Sequence, residues 1–172
     1  MYIKKLKIIG VILAFIIAFP LHFLYDIFPC FLISIIAPVN ESIWEHMKII
    51  FGSIILSGII QSIIIKKRKI KYNNFYFSNY ISAILAIIIF LIIYLPIYYL
   101  IGEHIILTLL LMLSTFIIAE YISIKIIQKH DYKQNRNTII YILLTYILFG
   151  LLTYFPPHLN IFFCPKNLKY GI

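Results

Sequence analysis

Asn40-Glu41-Ser42-Ile43-Trp44-Glu45-His46-Met47-Lys48 opens an apolar run that continues to Ile65 and stops at Lys66-Lys67-Arg68-Lys69-Ile70-Lys71. A helix needs about 20 apolar residues to cross the hydrocarbon core of a bilayer, and cations commonly close such a span. This run has that length and that ending. Two carboxylates, an imidazole and an ammonium stand at its start. Ionisable groups at membrane depth are costly, so their presence asks for a reason.

The rest of the chain is built the same way. Of its 172 residues, 63% are hydrophobic and 12% charged, and mean hydropathy is +1.00. A soluble domain of this size has no room to bury so much Ile, Leu and Phe. The composition therefore predicts an all-α polytopic membrane protein. The net charge of +9 does not indicate nucleic acid, because the cations fall in short clusters between apolar spans. No glycine-rich phosphate loop and no CxxC pair occurs. Lys4, Lys5 and Lys7 followed by an apolar run resemble a signal peptide, but the run reaches about Tyr25 and lacks a small-x-small cleavage site. It is read as a retained first span.

Five spans are predicted within a single integral domain, over about 6–25, 42–65, 78–101, 103–124 and 138–155. The stretch 30–38, flanked by Pro29 and Pro38, is apolar but too short to cross, so it is read as re-entrant or interfacial. Residues 156–172 form a polar and aromatic tail. Of the 15 basic residues, 12 fall before span 1, between spans 2 and 3 or between spans 4 and 5. The positive-inside rule then predicts a multi-pass protein of the cell membrane with its N-terminus in the cytoplasm and its C-terminus outside. Four of the six acids (Asp26, Glu41, Glu45, Glu103) and four of the five histidines (His22, His46, His104, His158) fall in one outer layer. Removal of lysines from that side accounts for part of this sorting.

Each constellation in that layer has an ordinary reading beside a functional one. His22 and Asp26 are four apart at the end of span 1, where Pro20 is expected to kink the helix. They either hold a divalent metal or merely mark a helix end. Asn40 and Ser42 are good helix N-caps, and Ser42 with Glu45 fits a capping box. Trp44 suits an interfacial belt, and Lys48 can pair with Glu45 at i,i+3. Capping and anchoring do not explain both glutamates together with His46. His104 opens span 4 and His158 follows Pro156-Pro157; each alone is unremarkable. Glu120 lies about 24 Å below His104 at 1.5 Å per residue, so it is assigned to the inner interface, snorkelling or paired with Lys125. Tyr94, Tyr98 and Tyr99 read as an outer aromatic belt. Cys30 and Cys164 share the outer side and are either a disulfide or two free thiols.

His22-Phe23-Leu24-Tyr25-Asp26, Pro38-Val39-Asn40-Glu41-Ser42-Ile43-Trp44-Glu45-His46-Met47-Lys48, and Pro156-Pro157-His158 with Tyr170-Gly171-Ile172 together resemble a family of small bacterial integral membrane proteins catalogued only as a domain of unknown function. The resemblance covers nearly the whole chain. It implies a membrane location and several helices, and supplies no activity, cofactor or partner. The family pattern carries more proline and aspartate after Pro-Pro-His than Asn160–Pro165 does here.

The residue types point first to a metal-dependent hydrolase set in the membrane. His22, Asp26, His46, His104 and His158 are the candidate ligands of a divalent metal, with zinc the best match to imidazole and carboxylate. Glu41 or Glu45 is the candidate base, with Asn40, Trp44 and Lys48 as supporting site residues. At that depth the partner is the lipid bilayer, and the substrate a lipid or lipid-linked molecule. The alternatives are a small transporter or ligand-binding subunit, and a structural or assembly partner in which the polar layer only locks helix ends.

Overall fold

The computed structural model describes residues 2–172. Six α-helices are present among them: α1 (Tyr2–Ile27), α2 (Phe31–Ile36), α3 (Ile43–Lys67), α4 (Phe75–Ile101), α5 (Ile105–Ile127) and α6 (Thr138–Tyr154). A 3-10 turn (Asn160–Phe162) leads into a two-residue hairpin, β1 (Phe163–Cys164) against β2 (Lys169–Tyr170), paired antiparallel as Phe163↔Tyr170 and Cys164↔Lys169. Helices α1, α3, α4 and α5 are long and apolar enough to cross a membrane. Helix α6 has 17 residues, about 25 Å at 1.5 Å each.

Burial is inverted relative to a water-soluble bundle. Ile8, Ile12 and Ile16 of α1, Ile92 of α4, Leu110 and Ile117 of α5 and Leu144 of α6 all point outward, as expected where lipid is the solvent. Helix α3 takes the centre. Most of it is buried, including Ser53, Ser57 and Gln61, and α1, α4 and α5 pack around it. Small residues let these helices approach closely, as is usual where apolar surface alone gives no drive to associate. Ala14 and Ala18 of α1, Ala83 and Ala86 of α4 and Ala119 of α5 are all buried around Met47, Phe51 and Ile54 of α3.

The stretch between Pro29 and Pro38 folds as the six-residue α2, which packs chiefly on α6. There the Ser34 Oγ lies 2.9 Å from the Tyr154 hydroxyl. Helix α1 is continuous through Pro20. Cys30, exposed, and Cys164, buried, are both free thiols.

One expected partnership is replaced. Glu120 does not pair with Lys125, whose ammonium sits over the Tyr121 ring at 5.1 Å. Residues five apart lie about 140° around a helix from each other, so the two side chains leave α5 on different faces. Glu120 instead meets Lys7, Nζ to Oε2 at 2.9 Å, with side chains almost fully buried. Lys7 is therefore not a solvated flank of α1. Helix α1 begins at Tyr2, which carries Lys7 into the second turn and under its neighbours. Lys7 Nζ also donates to Asn79 Oδ1 at 2.7 Å. Gln61 Nε2 donates to Glu120 Oε1 at 2.8 Å, so four helices converge on one buried polar cluster.

Candidate metal centre

The start of α3 is built by short-range hydrogen bonds. Asn40 Oδ1 accepts from the Ser42 N–H at 2.8 Å. Ser42 is the N-cap, its Oγ accepting from the Glu45 N–H at 3.3 Å. Asn40 also donates from Nδ2 to the Gly171 carbonyl at 2.8 Å, so it anchors the tail to the α3 entry. Asn40→Ala removes both bonds and is expected to cost about 1–3 kcal/mol, at roughly 0.5–1.5 per hydrogen bond. Asn40→Asp keeps the Oδ1 acceptor but sets a carboxylate oxygen against the Gly171 carbonyl, so it should recover little of that loss. Thermal unfolding in detergent micelles checks the order. Trp44 packs on Phe149 and on Phe162, with ring centroids 5.5 and 5.0 Å away, and so holds α6 and the tail against α3.

The two glutamates separate completely. Glu45 Oε2 meets Lys48 Nζ at 2.6 Å and accepts from the Val39 N–H at 3.0 Å. Its Oε1 accepts from Thr153 Oγ1 of α6 at 2.7 Å. Lys48 Nζ also donates to the Ser34 carbonyl at 2.6 Å. The side chains of Lys48 and Glu45 are 0% and 2% exposed. Every oxygen of Glu45 is thus engaged in a clasp that joins α2, the 37–40 loop, α3 and α6. Glu41 lies before the N-cap and points to the other side of the α3 entry, toward His22 and His46.

His22, Glu41 and His46 form the cluster, with one ligand atom from each all within 4.8 Å of one another. His46 Nε2 is 3.4 Å from Glu41 Oε2, and His22 Nε2 is 4.0 Å from Glu41 Oε1. Metal–ligand bonds of about 2.1 Å at a tetrahedral angle put neighbouring ligand atoms about 3.4 Å apart. The His46–Glu41 edge has that length already; His22 stands 4.0 Å from the other carboxylate oxygen and the three ligand atoms lie within 4.8 Å of one another, so one ion draws the set together by up to about 1.4 Å. His46 Nδ1 lies 2.9 Å from the Ser42 carbonyl oxygen, which can only accept. Nδ1 therefore carries the proton, and the Nε2 of a neutral ring turns a lone pair toward a carboxylate. A proton or a cation between them resolves that contact. Backbone anchoring of the far ring nitrogen is also how metal-binding histidines are commonly oriented.

Glu41 is held below its ordinary carboxylate value. The hydrogen bond that Glu41 accepts from the protonated His46 ring is the main cause; the charges of His46, His22 and Lys166 add to it, against partial burial. Glu41 and His46 also open onto a cavity of about 240 Å³ between α3, α4, α5 and the tail, to which Glu103 contributes a further carboxylate.

The other candidates stand apart from the triad. Asp26, exposed at the end of α1, acts on His22 only through its charge. His104 is the exposed N-cap residue of α5, Nε2 at 3.1 Å from the Ile101 carbonyl oxygen. His158 stacks on Tyr170 at 4.6 Å. Conversely, Tyr94, Tyr98 and Glu103 line the cavity with Asn160 and Phe163 of the tail. Nothing local in the sequence marks the tail residues as part of that wall.

A family model described as a family of unknown function, DUF6512, matches residues 1–172. No curated protein and no solved structure matches the chain.

Proposed function

We propose that this chain, which belongs to the DUF6512 family of unknown function, is a metal-dependent hydrolase whose single divalent ion is held by His22, Glu41 and His46. The observation that carries this reading is the convergence of those three ligand atoms within 4.8 Å. Three protein ligands with a fourth position open is the arrangement of catalytic zinc, whereas structural zinc is usually closed by four. When bound, the ion would polarise a carbonyl or phosphoryl oxygen as a Lewis acid. The chain's own groups do the rest. His22 and His46 fix the ion's place, Glu41 supplies charge, and Glu103 on the adjoining cavity accepts the proton of an attacking water. That proton then passes to the leaving atom as its bond to the attacked centre breaks. Under the positive-inside reading the site faces outward, at headgroup depth.

Purified protein should carry about one zinc per chain by elemental analysis, as one mononuclear site requires. His22→Ala and His46→Ala should reduce it to near zero while the protein stays monodisperse. Full retention by either variant sinks the reading. Protons compete for the same lone pairs, so zinc should leave as pH falls from about 7.5 to 5.5. Glu41 stays ionised over that window because its value is depressed from 4.5, so the loss belongs to the histidines. Asp26, Glu103 and Lys166 are the other charges acting on them.

A further inference from the structure

The cavity beside the triad has a direction. Its ionisable groups Glu41, His46 and Glu103 stand at one end, the hydroxyls of Tyr94 and Thr108 lie part-way down, and Ile50, Phe90 and Met112, a turn or more farther along their helices, wall the other end. Phe90 and Tyr98, eight residues apart on α4 and both on the wall, set its depth at about 12 Å. A pocket that is apolar at the bottom and polar at the mouth selects an amphiphile, because any polar group pushed to the bottom would lose its hydration without a partner. The cavity, with Tyr94 and Phe163 on its wall, holds about 240 Å³. The passage therefore fits one chain better than two.

The mouth also limits the headgroup. Glu41, Glu103 and Asp26 place three carboxylates around the histidines, against the ammonium of Lys166. A bound divalent ion brings this local charge close to neutral. An anionic head such as a phosphate would add a further negative charge beside those carboxylates. A neutral carbonyl brings none and offers an oxygen for the ion to polarise.

Resting on the hydrolase reading above, we propose that the substrate is a single-chain acyl ester or amide, its hydrocarbon chain seated against Ile50, Phe90 and Met112 and its carbonyl at His22, Glu41 and His46. Water adds its oxygen to the acyl carbon, and the bond from that carbon to the leaving oxygen or nitrogen breaks. Glu103 carries the proton from the water to the leaving atom, so a fatty acid and an alcohol or amine result.

Alkyl hydroxamates test this on the full chain in lipid nanodiscs, because the hydroxamate binds zinc while the chain probes the pocket. Acetohydroxamate should bind wild type and Ile50→Trp or Met112→Trp within about twofold. Decanohydroxamate should bind either filled variant at least about tenfold more weakly than wild type, given the loss of several buried methylenes. The comparison between proteins cancels partition of the probe into lipid. A photoreactive group at the chain end of the same probe, used on wild type, should crosslink to Phe90 or Met112. Equal decanohydroxamate affinity in wild type and a zinc-loaded variant, or crosslinks confined to lipid-facing residues such as Ile92, overturns the chain-binding proposal and leaves the metal reading standing. Absence of zinc from wild type overturns both.

Discussion

Lys48→Met is expected to destabilise the protein by about 3–5 kcal/mol, the usual consequence of leaving one member of a buried ion pair without its partner. Glu45 would keep its bonds from the Val39 N–H and Thr153 Oγ1, but a carboxylate 2% exposed would have lost the cation beside it. The Ser34 carbonyl would lose its donor at the same time, loosening α2 from α3. Glu45→Gln in the Lys48→Met background should recover most of the loss, because the charge disappears while an amide oxygen still accepts. Apparent melting temperatures in micelles would give the order wild type, double variant, single variant. A single variant as stable as wild type would mean that the clasp does not hold α2 and α6 to α3. Zinc content adds a second readout. The clasp's bonds run to Ser34, Val39 and Thr153 rather than to the triad, so the double variant should match wild type in metal content.

The second large effect is expected at the opposite end of the bundle. A methyl group added at Gly10 would fall on Glu120 Oε1 and on Gln61 Nε2, and both contacts are too short to be tolerated. Gly10 thus makes room for the carboxylate that neutralises Lys7. Lys7→Met should cost about 3–5 kcal/mol by the same reasoning as at Lys48. Gly10→Val should approach that loss without altering any charge, because it pushes Glu120 away from the ammonium. Lys7→Met combined with Glu120→Gln separates charge from packing. If it melts with the single Lys7→Met variant, the buried charge is not what the pair controls. None of these changes lies near His22, Glu41 or His46, so zinc stoichiometry of the folded fraction should be unaltered.

The helical, membrane-compatible character was legible in composition alone, since 63% hydrophobic residues arranged in long runs admit few other outcomes. The Asn40–Lys48 motif was legible as a place where polar groups needed partners, and the Glu45–Lys48 pairing followed from i,i+3 spacing. The division of labour between the glutamates did not follow. Glu41 and Glu45 are four apart, which puts two residues on one face only when both are helical. Helix α3 starts at Ile43, so Glu41 leaves the chain before the rule applies. The histidines show a related limit. Topology fixes how high a residue sits in the bundle but not its direction around it, and His104 and His158 share a layer with His22 and His46 without meeting them. Lys7 has the local pattern of a flank of a hydrophobic run because its partner lies on a distant helix. Pairing across the chain leaves no trace in local pattern.

The position of Glu120 relative to Lys7 bears on how the protein is made. The two residues are 113 positions apart, with α1 leaving the ribosome long before α5. A newly inserted α1 would hold the Lys7 ammonium without its counter-charge until α5 arrives, and Gln61 of α3 would wait for the same carboxylate. Early intermediates should therefore be the ones that membrane quality control recognises.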